Sequence, residues 1–88
     1  MKGLSEKRLQ ELEDIARLRP GTTFNVIISL EQSASPEAVL NCGFEVEHTV
    51  LSAKIVTGKA TIDCLRQLMA LPEVALIEED GVVRAISD

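Results

Sequence analysis

Between Thr22 and Ile77 the hydrophobic pattern keeps changing its period, and the order of those changes constrains the fold more than any other feature. A period of two marks a strand and a period near 3.6 marks a helix. Thr22 to Leu30 alternates, with Phe24, Val26, Ile28 and Leu30 on one face and Asn25, Ile27 and Ser29 on the other. The run Val26-Ile27-Ile28 suits a central strand. Ser35-Pro36-Glu37 then opens a short helix: a capping hydroxyl, a proline at the first helical position and an acid in the first turn. Gly43 ends it, and Ala38, Val39 and Cys42 face a core. Phe44 to Val50 alternates again, with Phe44, Val46, His48 and Val50 on one face and Glu45, Glu47 and Thr49 on the other. Two acids on one side suit an edge strand. Leu51-Ser52 turns the chain, Ala53 to Thr57 is a third strand, and Gly58-Lys59 is expected to break it. Thr61 caps a helix over Ile62 to Leu71, with Ile62, Leu65, Leu68 and Met69 as its buried stripe. Pro72 closes that helix, and Val74 to Ile77 is the last strand.

Strand, helix, strand, strand, helix, strand, joined by right-handed crossovers, predicts an α+β protein. Its form is a ferredoxin-like β-α-β-β-α-β sandwich, a four-stranded antiparallel sheet with two helices on one face. An additional helix precedes it, over Leu4 to Leu18. Ser5 is its N-cap and Glu6 sits at the positive end of the dipole. Leu9, Leu12, Ile15, Ala16 and, at the margin, Leu18 recur at helical spacing, and Pro20-Gly21 ends the helix. Such a helix either covers apolar surface of its own domain or docks on a partner, and the pattern favours the first. The chain thus divides into an amphipathic N-terminal helix (1–21), a sandwich (22–80) and an extended C-terminal tail (81–88) with no helical period.

Composition narrows the function classes. At 88 residues the chain is one domain, and such a chain buries only about 60% of its unfolded surface. Phe24 and Phe44 are the only aromatics, so the core is aliphatic and base stacking has little to work with. A net charge of −5 without a basic cluster argues against nucleic acid and against anionic membrane as partners. No stretch reaches the roughly 18 apolar residues of a span, and residues 1–20 lack a signal-peptide core. A cytoplasmic protein is expected.

Catalytic groupings are sparse. His48 stands alone on an expected edge strand, with no ligand or base partner at a useful spacing. Cys42 and Cys64 form no CxxC pair. Their offset along neighbouring helices is about 10 Å at 1.5 Å per residue, beyond the ~7 Å Cα reach of a disulfide. Two reduced thiols are expected, with no metal and no cofactor. Lys54 and Lys59 carry no mark of desolvation. The scattered glycines build no phosphate loop. Acylphosphatases share this size and fold, but they need a glycine-rich loop with an arginine after the first strand. Glu31-Gln32-Ser33-Ala34-Ser35 supplies neither, so the protein is not expected to be an enzyme.

Glu78-Glu79-Asp80 is the densest charge feature. It is either a solvated strand end or a set of carboxylates for the N-termini of partner helices. The run Leu71-Pro72-Glu73-Val74-Ala75-Leu76-Ile77-Glu78-Glu79-Asp80, the element order and the extended tail resemble the propeptides of subtilisin-type serine proteases. They are also similar to the related free-standing inhibitors of the fungal proteinase B inhibitor type. The resemblance covers roughly Thr23 to Ile86, and its most specific piece is the proline-to-acid run ending at Asp80. It implies a sheet that packs on two surface helices of the protease and a tail that lies in the substrate cleft as a product-like strand. Carried over by position, Glu78, Glu79 or Asp80 would cap the protease helices. Val83, Arg84, Ala85 and Ile86 would fill successive subsites, Ile86 at or near the primary one. The sequence departs from the family in three ways: the β-branched Ile86, the extra Ser87 and Asp88, and the N-terminal helix, which would block docking if it lay on the sheet face the family uses.

The resemblance implies a small inhibitor, or a propeptide-like chaperone acting in trans, of a subtilisin-type protease. The alternative is a non-inhibitory ferredoxin-like module that forms a homodimer or binds an effector.

Overall fold

A computed structural model describes residues 3–80. The elements are α1 (Glu6–Leu18), β1 (Phe24–Leu30), α2 (Glu37–Leu40), β2 (Glu45–Val50), β3 (Ile55–Ala60), α3 (Ile62–Ala70) and β4 (Val74–Glu79), with a 3-10 turn at Leu51–Ala53. The sheet order is β2-β3-β1-β4 and every pairing is antiparallel. This is the ferredoxin-like arrangement. It puts the nearly continuous apolar strand β1 at the centre and leaves β2 and β4 as edges.

Local chemistry fixes the helix starts. Ser5 Oγ accepts the Arg8 N–H at 3.1 Å, and Leu4 and Leu9 on either side of this cap are both buried, a hydrophobic staple at the helix entrance. Thr61 Oγ1 accepts the Cys64 N–H at 3.2 Å in the same way. Ser35 Oγ accepts the Glu37 N–H at the start of α2. Between β2 and β3, Lys54 takes a left-handed conformation with φ 56°. Its carbonyl accepts from Leu30 and its ammonium donates to Ala34 O, tying the turn to β1 and to the loop after it.

The core lies between the sheet and the helices. Val26, Ile28 and Leu30 of β1, Val56 and Ala60 of β3, and Val74 and Ile77 of β4 meet Val39, Phe44, Cys64, Leu65 and Leu68. Leu4, Leu9 and Leu12 belong to the same cluster. The first helix therefore packs in the helical layer, beside α3. Arg66 of α3 joins the two helices through Glu13 at 3.0 Å and Glu6 at 3.3 Å. Only the first half of α1 is held this way, since Ile15 is 43% exposed and Leu18 84%. The stripe read from the sequence thus ends at Leu12.

Three strand expectations are corrected. Gly58-Lys59 does not break β3, which runs on to Ala60. Gly58 is there for space: a Cβ would strike the Glu45 carbonyl and stand 3.0 Å from Phe44 Cζ. The Phe44 ring occupies the room the missing side chain leaves, as aromatic rings do over strand glycines. In β2 the register shifts between Val46 and His48. Val46 opposes Gly58, but His48 opposes Thr57 and Val50 opposes Ile55. The bulge therefore divides the expected Phe44, Val46, His48, Val50 face: Phe44 is buried in the core, while His48 and Val50 stand on the other side. β4, finally, continues past Ile77 to Glu79.

Candidate functional site

The sheet has a second face, opposite the helices, and strand registers lay it out in rows. At one end stand Glu45, Lys59 and Asn25, with Asp80 reaching the row through its N–H to Asn25 O at 2.9 Å. The middle row is His48, Thr57, Ile27 and Glu78. The far row is Val50, Ile55, Ser29 and Leu76. The surface thus grades from charged to apolar along the strands. Glu45, His48, Val50 and Glu78 are exposed, and Ile27, Ile55, Thr57 and Leu76 are half-buried. Lys59 Nζ lies 3.9 Å from Glu47 Oε2 at the charged end. All three α-helices contribute buried residues to the core on the opposite side, so α1 leaves this face uncovered.

The three acids singled out in the sequence separate. Glu78 opposes Ile27 and projects on the open face. Glu79 opposes Val26 and projects on the helical side, where Arg8 grips it with two donors, Nε to Oε2 at 2.6 Å and a terminal nitrogen to Oε1 at 2.8 Å. Hydrogen bonding to that guanidinium holds the Glu79 carboxyl below the usual range, against the opposing push of partial burial. The same guanidinium reaches Glu11 at 2.9 Å. Asp80 is half-buried where β4 ends. Sequence reading missed the role of Glu79 because its partner lies 71 positions away. Val83, Arg84, Ala85 and Ile86, expected as subsite residues, lie outside the described residues.

His48 is exposed. Cys64 is buried, Cys42 is half-buried, and both are free thiols. Burial, with a smaller contribution from Cys42, pushes the Cys64 thiol up to about 11, so it is a poor nucleophile at neutral pH. Among the described residues no group of three or more His, Cys, Asp or Glu could hold a metal ion. A shallow cleft of about 380 Å³ lies between the loop after β1 and the turn before β4, lined by Glu31, Ser33, Ala34, Pro72 and Glu73. Among the described residues no helix is long and apolar enough to cross a membrane.

Comparison of the chain with protein-family models, with curated proteins and with solved structures returns no significant match.

Proposed function

We propose that the domain inhibits a subtilisin-type serine protease in trans, or chaperones it as a propeptide does. Its open sheet face rests on surface helices of the protease, and residues 81–88 enter the substrate cleft. The observation that carries this reading is that, among the described residues, no helix covers this face. An N-terminal helix foreign to the family pattern could have blocked it, yet α1 spends Leu4, Leu9 and Leu12 on the opposite layer. The face also suits helical partners. Ile27, Ile55, Leu76 and Val50 offer apolar area, and Glu78 is an exposed carboxylate among them, placed to meet the positive N-terminal end of a helix. Of the three acids, Glu78 therefore carries the capping role, since Glu79 is engaged by Arg8. Two free cysteines fit a reducing compartment, and a cytoplasmic site of action is part of the proposal. No cofactor is needed, because occupancy of a cleft requires none.

The test is an inhibition assay on a subtilisin-type protease. Full-length protein, a chain ending at Asp80 and the variant Ile27→Lys are compared. Losing a central apolar anchor and placing a charge there costs about 2–3 kcal/mol of binding, on the order of 30–150-fold in the inhibition constant. Removing 81–88 should weaken inhibition at least as much. Absence of inhibition by the full-length protein up to high micromolar concentration rejects the reading. A stable homodimer closed over the open face would instead support the alternative module.

A further inference from the structure

The segment that leads into α1 approaches the outer edge of β4. In β4 the backbone groups of Leu76, Glu78 and Asp80 turn toward β1, as the pairings with Ser29 and Ile27 and the Asp80 N–H to Asn25 O fix. Those of Ile77 and Glu79 therefore turn outward, away from the sheet. Gly3 lies against that outward edge. A Cβ on Gly3 would collide with the Ile77 carbonyl oxygen and stand 2.8 Å from Leu76 Cδ1. Gly3 also has φ +93°, a conformation that side chains rarely adopt. The approach is thus close enough that only glycine fits. Immediately after it, Leu4 enters the core, Ser5 caps α1, and one turn later Arg8 reaches back to hold Glu79. Two fastenings, at Ile77 and at Glu79, lie on successive outward-facing residues of one strand.

We propose that Gly3, Leu4 and the first turn of α1 form a clasp that closes the outer edge of β4 against pairing with the β4 strand of a second copy. An uncovered edge offers unpaired N–H and C=O groups to any other strand. β4 is suited to accept one, with Val74, Leu76 and Ile77 in its first four residues and its charges confined to its end. The other edge is guarded differently. β2 carries a register shift and the charges of Glu45 and Glu47, devices that disfavour strand addition without a cover. Each edge of the sheet has its own protection, and that of β4 is removable because it is built from a segment rather than from the strand itself. The proposal is independent of the protease reading and needs no protease to test.

Two full-length variants release one fastening each: Gly3→Val, which cannot make the close approach, and Arg8→Met, which keeps the aliphatic stem and drops the guanidinium. Amide hydrogen exchange and sedimentation equilibrium are measured for both and for the natural sequence. The natural protein should sediment as a monomer. Each variant should exchange the Glu78 and Asp80 amides, which pair β4 with β1, at least threefold faster as the edge strand loosens, with Leu65 and Leu68 of α3 unchanged, and should populate a dimer at high concentration. Exchange within twofold of the natural protein in a folded variant overturns the clasp. An exposed edge without self-association in either variant overturns the role assigned to it. Should Gly3→Val fail to fold, Arg8→Met alone decides.

Discussion

Replacing Leu12 by alanine measures whether α1 is part of the domain or an appendage. Leu12 is 1% exposed and Ile15, one turn along the same helix, is 43% exposed. Leu→Ala at a buried site removes transfer free energy and leaves a cavity, at a cost of ~2.7–5 kcal/mol. The same truncation at Ile15 removes atoms that already touch water and should cost less than ~1 kcal/mol. A chain of this length has a total stability of ~4–13 kcal/mol at the usual range per residue, so Leu12→Ala removes a large fraction of it. Since the chain has neither Trp nor Tyr, the assay is urea unfolding followed by far-UV circular dichroism. With an m-value of ~1 kcal/mol/M for a small domain, the midpoint should fall by ~2 M or more while the transition stays single. Amide exchange at Val56, in the middle of β3, should accelerate with it. The reasoning fails if helical signal is lost early while the sheet unfolds at its original midpoint, for then α1 detaches without consequence. It fails equally if Leu12→Ala and Ile15→Ala cost the same.

A double-mutant cycle on Arg8→Met and Glu79→Gln should give a coupling of ~1 kcal/mol, the upper end for a two-pronged pair whose groups remain 41% and 30% exposed to screening solvent. Because Arg8 lowers the Glu79 pKa, the unfolded chain binds the proton more readily. The coupling is therefore fully present above the ordinary glutamate range and disappears as pH falls through the lowered folded-state value, as unfolding curves from pH 7 to pH 3 will show. Gly58→Ala should destabilise by ~1–3 kcal/mol through crowding of the Phe44 ring and the Glu45 carbonyl, read as a lowered melting temperature. A thiol reagent at pH 8 should modify half-buried Cys42 well before buried Cys64, whose thiol is pushed up to about 11, and denaturant should equalise the two rates.

The element order was readable because local signals and burial agree: Ser5 and Thr61 cap the helices they precede, and β1 alternates as it pairs. What escaped depends on residues distant in the chain. The bulge in β2 leaves no mark on the sequence, since Val46 and His48 look like any alternating pair, yet it turns His48 and Val50 to the other face. Gly58 reads as a breaker until the Phe44 ring is seen filling its place. The amphipathic pattern of α1 shows that it buries one stripe, but not which side of the sheet receives it. That was settled by Leu4, Leu9 and Leu12 joining the core around Leu65 and Ile77. Of the candidate site, the Glu78-Glu79-Asp80 run was visible as charge. Its division between two faces follows from the pleat, and the engagement of Glu79 from a guanidinium supplied by another element.

The bond between Arg8 and Glu79 also carries a kinetic meaning. It spans 71 positions, and a loop of that length gains nothing until the strands between its ends have paired. Its formation is expected to follow the rate-limiting step of folding. An interaction absent from the transition state leaves the folding rate alone and acts wholly on unfolding. Losing it should shorten the lifetime of the folded state without slowing its assembly. A fastening that joins the first helix to β4 therefore acts as a brake on escape, and it would matter most where persistence of the folded form counts for more than the speed of reaching it.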